Sequence, residues 1–168
     1  MLLYHPMHDP YHCAFRVLTL LSNVEADRIE IEKIRIADFF FLFPHLVAAM
    51  VLPRGTQTIR SAARKLENAY VSVINSRRAY EQIKHIQLTT LRGLAARGIL
   101  VPESLVEGWV RRSSQELRSD VQQILNETAL EMNDVHKFVV DVLIQLPLGG
   151  KGGLKDRSGL AEYRYDVI

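Results

Sequence analysis

Apolar residues near the N-terminus recur at the spacing of an α-helix. Four of them would form one stripe on a helix over about residues 11–21: Ala14, Val17, Leu18 and Leu21. Asp9 and Pro10 precede this stripe, in the order typical of an N-cap aspartate followed by a proline at the first helical position. The pattern therefore predicts a first helix that is capped by Asp9.

The next segment allows two interpretations before it becomes entirely apolar. Asp27, with Glu30 three residues later, predicts the capped start of a second helix. The isoleucines at positions 29, 31, 34 and 36 would also suit a short strand over 29–36. From residue 37 the chain is apolar on every side and contains the run Phe39 to Phe43, so we expect this segment to be the central buried element.

Residues 36–52 are apolar enough to raise the question of a membrane span. Asp38, Pro44 and His45 would each be costly or disruptive at bilayer depth. A buried core helix that bends at Pro44 explains the segment better. We therefore predict no membrane segment, and the N-terminus also lacks the cationic start and apolar run of a secretory signal.

Two further helices are predicted in the middle of the chain. The first is capped by Thr56 or Thr58 and runs to about Tyr70. The second covers 77–97, and Gly98 supplies its left-handed end. Apolar residues are expected on the inward face of this longer helix, with Gln87 turned outward: Tyr80, Ile83, Ile86, Leu91 and Leu94.

The remaining helices are shorter. One begins at Pro102 and is expected to include Trp109. Ser113 and Glu116 have the spacing of a capping box, which predicts the start of the next helix. A last helix is expected over about residues 135–143.

The C-terminal part divides into a glycine-rich stretch and a tail. Residues 148–153 predict a flexible hinge between a helical domain, 1–147, and a docking tail, 154–168. Residues of the tail with apolar, aromatic or basic side chains are the tentative partner-binding set: Leu154, Lys155, Arg157, Leu160, Tyr163, Arg164 and Tyr165. The whole pattern predicts a mainly α protein with a single helical domain, in which one or two short strands would allow a winged-helix-like form.

The charge of the chain is nearly balanced. A formal net charge of +2, from 21 basic and 19 acidic residues, is too small to indicate nucleic-acid binding by bulk electrostatics. Any such binding would need a local patch. Basic residues that stand in pairs or share a helix face are weak candidates for contacts to DNA or to an acidic partner: Arg60, Arg64, Arg77, Arg78, Arg111 and Arg112. Solvated helix faces are the commoner explanation of such residues.

Candidate metal and nucleophile residues cluster near the N-terminus. His5, His8, Asp9 and His12 could supply metal ligands, but their spacing straddles two prolines and Asp9 already serves as a cap. Cys13, the single cysteine, cannot form an intrachain disulfide, which fits a reducing, cytoplasmic location. A small buried cysteine is a better interpretation than a nucleophile, because adjacent residues on a helix do not face one another.

Asp38 is the one acidic residue that the pattern places inside the core. Burial would raise its pKa unless a donor satisfies the carboxylate, and Arg35, three residues earlier, is the expected partner. The glycine-rich stretch around Lys151 lacks the Ser or Thr and the following helix of a phosphate-binding loop. The sequence therefore predicts no enzyme activity and no cofactor.

Three ordered stretches, 4–16, 33–44 and 153–166, resemble the small middle components of ABC-three-component systems. That group includes the LmuC-like middle subunit of Lamassu anti-phage and anti-plasmid defence systems. The resemblance implies partners: an SMC- or Rad50-like ABC ATPase that senses DNA, and an effector nuclease held in check until DNA is detected. The chain itself would act as the connector, with any contact to DNA indirect.

Two other functions compete with the connector. A winged-helix DNA-binding regulator is favoured by the pattern over 91–101, where a helix, a glycine and a short apolar stretch follow one another, and by the arginine pairs. The low net charge and the apolar tail speak against it. A small hydrolase would require a polar pocket that joins Asp38, a histidine and Cys13.

Overall fold

The computed structural model describes residues 6–67 and 73–162, and within these ranges the fold is mainly helical with one small sheet. The α-helices are α1 (Pro10–Ser22), α2 (Ile31–Leu42), α3 (Thr58–Arg64), α4 (Ser76–Ala96), α5 (Pro102–Val106), α6 (Ser119–Glu131), α7 (Asp134–Asp141) and α8 (Leu154–Ser158). Short 3-10 helices cover Pro6–His8, Pro44–Ala49 and Leu143–Gln145. The mainly α, single-domain prediction is confirmed.

The sheet joins two strands that are far apart in the sequence. β1 (Arg28–Glu30) pairs antiparallel with β2 (Trp109–Arg111), and Ile29 stands opposite Val110 on the buried side. An isolated bridge between Leu100 and Arg112 extends the pairing beyond β2. The sheet therefore connects the start of α2 to the segment that follows α4.

The core forms where α1, α2 and α4 pack against one another. Asp9 caps α1 as predicted, since its carboxylate accepts hydrogen bonds from the backbone N–H groups of Tyr11 and His12 at 2.7 and 3.3 Å. Asn75 caps α4 by accepting from Arg78 N at 2.9 Å, which frees that end of the helix from an unsatisfied donor. Gly98, with φ of 73°, ends α4 in the left-handed conformation that was predicted.

The phenylalanine run lies at the centre of this core. Phe39, Phe40 and Phe43 are at most 1% exposed, and the ring of Phe39 meets those of Phe40 and Tyr80 edge to face at 5.5 and 5.8 Å between centroids. The predicted bend at Pro44 is instead a break. α2 ends at Leu42, and a separate 3-10 helix starts at Pro44, because proline cannot donate the next helical hydrogen bond.

Two predicted helix caps are wrong. Asp27 does not cap α2; β1 comes first and Glu30 occupies the N-cap position without a side-chain hydrogen bond. Neither Thr56 nor Thr58 caps α3, whose N-cap is Gln57. Asp27 does not start a helix because the residues after it pair with β2 in the sheet. Local sequence rules do not take such long-range pairing into account.

The predicted capping box at Ser113 is wrong as well. α6 begins six residues later, at Ser119, and the Ser113 hydroxyl donates instead to the carbonyl of Gly98. Ser113 therefore ties the end of α4 to the strand segment after β2. Trp109 was also expected in a helix. Instead α5 stops at Val106, and Trp109 is the first residue of β2.

Two other details differ from the prediction. α3 ends at Arg64, and its predicted continuation to Tyr70 falls partly outside the described residues. Gln87 points into the core, where it is only 2% exposed, and not outward.

The helix predicted over about residues 135–143 is present as α7. It begins after Asn133, whose side chain accepts a hydrogen bond from His136 N at 2.9 Å.

Candidate partner-binding site

Asp38 is the centre of a buried polar cluster. Its carboxylate is 0% exposed and accepts from Arg16 Nε at 2.6 Å and from Arg16 Nη2 at 3.3 Å. Gln87 Nε2 donates to the second carboxylate oxygen at 2.8 Å. These contacts join α1, α2 and α4 at one point, and charge-assisted bidentate hydrogen bonds are among the strongest in proteins.

The expected pairing of Asp38 with Arg35 is therefore wrong. Arg35 Nη1 donates to Glu32 at 3.0 Å, its Nε donates to Gln87 Oε1 at 3.1 Å, and its guanidinium lies 4.5 Å from the centroid of the Tyr80 ring. The Tyr80 hydroxyl donates to Glu32. Burial in this cluster raises the pKa of Tyr80, so its phenol remains protonated and keeps the donor.

Sequence reasoning missed Arg16 and Gln87, which satisfy the buried aspartate. A signal for Gln87 was present, because position 87 is four residues after Ile83 and four before Leu91, on the inward face of α4. A polar residue at an inward position must find a hydrogen-bond partner there. No comparable signal marks Arg16, because it lies beside the apolar stripe of α1 and not in it, although its side chain is only 13% exposed in the fold.

Cys13 lies beside this cluster and is inaccessible. Its Sγ is 4.0 Å from Asp38 Oδ2, and the side chain is 0% exposed. Burial, assisted by the charge of Asp38, raises the pKa of Cys13 to about 12, which is the opposite of what a nucleophilic thiol needs. Arg16, not a histidine, sits against Asp38, so the polar pocket that a hydrolase would require is replaced by a closed ion pair.

The glycine-rich stretch and the start of the tail pack onto the helical domain. Leu154 and Leu160 are 0% and 2% exposed. Leu154 N donates to Pro147 O at 2.7 Å, and Arg157 is held by Gly152 O at 2.6 Å and Val51 O at 3.1 Å. The segment 148–160 is thus bonded to its own domain at several points.

Position 153 requires glycine because the backbone of residues 147–149 approaches it closely. A Cβ atom at position 153 would lie 2.2 Å from Gly149 O and 2.9 Å from Pro147 O, and both are backbone atoms that cannot rotate away. Gly150 and Gly152 have φ angles of 76° and 80°, which favour glycine. The glycines therefore build a tight loop, which places Leu154 in the core.

The tentative partner-binding residues divide into two groups. Leu154, Arg157 and Leu160 make contacts within this chain, and Lys155 N donates to Leu148 O at 3.1 Å. The other three members lie outside the described residues: Tyr163, Arg164 and Tyr165. Their role in binding a partner stays a prediction.

The six arginines proposed for contacts to DNA or an acidic partner lie on different elements. Arg60 and Arg64 are on α3, where Arg60 Nη2 donates to Met50 O at 3.0 Å. Arg77 and Arg78 begin α4, and Arg77 pairs with Glu162 at 3.1 Å between exposed side chains. On the strand segment, Arg111 pairs with Asp27 at 3.2 Å, and Arg112 is half-buried.

Neither a metal cluster nor a membrane helix occurs among residues 6–67 and 73–162. No three His, Cys, Asp or Glu side chains come together there as metal ligands, and His5 lies outside the described ranges. No helix in the described part combines the length and the apolar character that crossing a bilayer requires.

The comparison with protein families places these features in context. The family model described as "ABC-three component (ABC-3C) system Middle Component 5" matches residues 2–166. The chain belongs to this family. No curated protein and no solved structure matches the chain. The resemblance to ABC-3C middle components is thus confirmed at the level of the family, and the match includes both the core cluster and the segment after the glycine-rich loop.

Proposed function

We propose that this chain is the non-catalytic connector subunit of a bacterial ABC-3C defence complex of the Lamassu type. In this proposal it joins an SMC- or Rad50-like ABC ATPase to an effector nuclease in the cytoplasm, and the complex acts against phages and plasmids. The observation that carries the proposal is the family match over residues 2–166, which spans nearly the whole chain.

The chemistry of the buried residues supports a structural role for the core. Asp38 and Arg16 neutralise one another, and the Cys13 thiol stays protonated at neutral pH because its pKa is raised to about 12. These groups are held inside the protein and fix the packing of three helices. A chain of this kind contributes to a complex through its surface.

The test is reconstitution with the neighbouring gene products. The tagged chain is co-expressed with the proteins encoded on either side of its gene and purified by the tag. We expect a three-protein complex in which ATP hydrolysis belongs to one partner and nuclease activity to the other. If the tagged chain recovers neither neighbour, or if the isolated chain itself hydrolyses ATP or DNA, the proposal is overturned.

The contribution of the C-terminal tail needs a truncation that keeps the fold. Removing 154–168 would also remove Leu154 and Leu160 from the core, so loss of binding would be ambiguous. A chain that ends after Glu162 keeps both leucines and lacks only 163–168. We expect it to keep the wild-type melting temperature and to recover less of one partner. Unchanged recovery would contradict a docking role for the tail.

A winged-helix DNA-binding regulator is the second candidate, because α4 has a basic exposed face. α4 contains four basic residues and one acidic residue, and it is followed by the Leu100–Arg112 bridge and β2. Three of the exposed side chains are Arg78, Lys84 and Arg92. Such a face could contact the phosphates of a DNA duplex.

A fluorescence anisotropy titration separates the two candidates. The isolated chain is titrated against a labelled duplex of about 20–30 base pairs at several salt concentrations. A regulator should bind with sub-micromolar affinity and a steep salt dependence, both of which Arg78→Ala with Arg92→Ala should reduce. The connector predicts weak binding to the duplex and the same weak binding by the double variant.

A further inference from the structure

A small cleft opens between α1, α2 and the C-terminal end of α6. Its volume is about 290 Å³, and its walls include Phe15, Phe41, Met132 and His136. The rings of Phe41 and His136 stack with centroids 4.5 Å apart, and His136 Nε2 lies 3.1 Å from Phe41 O. The aromatic wall is therefore fixed before any ligand arrives, and preformed walls reduce the entropic cost of binding.

The size of the cleft indicates the kind of ligand that it can hold. Cofactors and drug-sized ligands usually occupy pockets of about 300–1,000 Å³. A volume of about 290 Å³ lies at the lower limit of that range and suits one or two protein side chains. Aromatic and methionine walls suit an apolar side chain, because methionine adapts to irregular shapes and flat rings cover a large apolar area.

The net charge around the cleft is negative. Arg16 reaches the cleft but is neutralised by Asp38 at 2.6 Å. Burial lowers the pKa of His136, so its ring is uncharged at neutral pH. Glu131, by contrast, lies at the cleft and makes no ion pair within the described ranges of the chain. A basic group on a partner would therefore meet an uncompensated carboxylate.

The exposed face of α6 continues the cleft outward. Ile124 is 50% exposed and precedes Thr128 and Glu131 by four and seven residues, so these three residues share one face of the helix. Glu127 lies beside them and is exposed. α6 contains three acidic residues and no lysine or arginine. Leu125 is its one fully buried side chain, so most of the helix is available to a partner.

We propose that this surface, the α6 cleft, is the docking site for a basic amphipathic segment of another component of the same ABC-3C system. An apolar side chain of that segment enters between Phe15 and Phe41, and its lysines or arginines pair with Glu127 and Glu131. The inference rests on the connector role proposed above. It deepens that role by naming the surface and the chemistry of the partner segment.

Binding is measured with the purified full-length chain and each of the two purified neighbouring gene products, at low and high salt. The test variant is Glu127→Lys with Glu131→Lys. The matched control is Glu103→Lys with Glu107→Lys. It reverses the charge of two exposed glutamates at α5 that are also four residues apart. We expect at least a ten-fold loss of affinity for one component in the α6 variant only, and a decrease in wild-type affinity with salt.

A second variant tests the apolar part of the site. Thr128→Trp places a large side chain at the cleft, and we expect the same component to bind at least ten-fold more weakly, with no change in helix content by circular dichroism. If both variants bind like wild type while the wild-type complex forms, the docking site is overturned and the connector role stands. If wild type binds neither component, both are overturned.

A second copy of this chain is the competing occupant, since the basic face of α4 would complement the acidic face of α6. Light scattering of wild type and of the Glu127→Lys, Glu131→Lys variant decides this point. A monomer in both cases supports a heterologous partner. A wild-type dimer that the double substitution converts to monomer overturns the proposal in favour of self-association.

Discussion

Two helices that pack against α1 differ in how much they bury. α4 has 21 residues, of which eight are buried, and its inward face carries both Leu91 and the polar anchor Gln87. α6 has 13 residues, of which only Leu125 is fully buried. The difference means that α4 is part of the framework that holds the fold, whereas α6 presents most of its surface outward.

The two helices also differ in charge. The exposed side of α4 is mainly basic, with Arg78, Lys84 and Arg92, and α6 carries Asp120, Glu127 and Glu131 without any basic residue. In a chain whose net charge is only +2, such a separation creates local fields of opposite sign. Local fields select binding partners and accelerate association more than they stabilise a fold.

The largest predicted effect concerns the ion pair that α4 helps to hold. Asp38→Ala leaves Arg16 without its partner in a largely buried position, and we expect a loss of about 3–5 kcal/mol in the free energy of unfolding. The matched control is Asp120→Ala, which removes the exposed pair with Arg118 at the start of α6 and should cost less than about 1 kcal/mol. Urea unfolding of the three proteins gives both values.

A leucine pair compares the packing of the two helices directly. Leu91→Ala, at a position that is 2% exposed on α4, should destabilise the protein by about 2–5 kcal/mol because it leaves a cavity in the core. Leu130→Ala, at a position that is 84% exposed on α6, should change stability by no more than about 0.5 kcal/mol. If Leu130→Ala lowered the urea midpoint as much as Leu91→Ala does, α6 would be part of the framework as well.

Two glycines test the backbone of α4 with smaller effects. Gly93 is inside the helix, and a Cβ there would meet only Arg97 Nη1 at 3.4 Å, so Gly93→Ala should stabilise the protein by about 0.5–1 kcal/mol. Gly98→Ala should destabilise it, since φ is 73° and the Cβ would lie 2.5 Å from Gln115 Oε1. Thermal melts should move in opposite directions. Equal shifts would contradict the assignment of the helix end.

The smallest predicted effect is a pH dependence that arises beside α6. Burial lowers the pKa of His136 below its ordinary value of 6.5, so the unfolded chain binds this proton more readily than the folded chain does. Stability is then complete above pH 6.5 and falls as the pH drops below it. His136→Gln, which keeps a polar amide near Phe41 O, should flatten this decline in urea midpoints between pH 7 and pH 5.5.

A companion variant sharpens the pH prediction. Burial also lowers the pKa of His45, which is in the 3-10 helix after α2, so its contribution has the same sign. The double variant His45→Gln, His136→Gln should be flatter than either single variant. A decline that is as steep in the double variant as in wild type would assign the pH dependence to other groups.

Much of the helical framework followed from sequence rules, because it depends on near neighbours. The cap at Asp9, the stripe of α1 and the left-handed end at Gly98 all appear as expected. Each of them is decided by residues within about one or two turns of the helix. The burial of Phe39, Phe40 and Phe43 likewise followed from the apolar pattern of their segment.

Two of the errors concern residues whose partners are distant in the sequence. Asp27 fits a local cap, but the pairing of Arg28–Glu30 with Trp109–Arg111 makes that stretch a strand. Ser113 fits a capping box, but its hydroxyl reaches Gly98. In each case a contact made across the fold outweighed a local preference worth about 1 kcal/mol.

By itself, the sequence determined that the chain is mainly helical, that its core is built around the phenylalanine run, and that its family is that of the ABC-3C middle components. Periodicity and composition are properties of neighbouring residues, so they can be read without coordinates. The tertiary structure alone decided that Arg16 and Gln87 satisfy Asp38, and that the glycine-rich loop returns Leu154 to the core. It also decided that α6 remains largely uncovered, because burial depends on how separate segments meet in space.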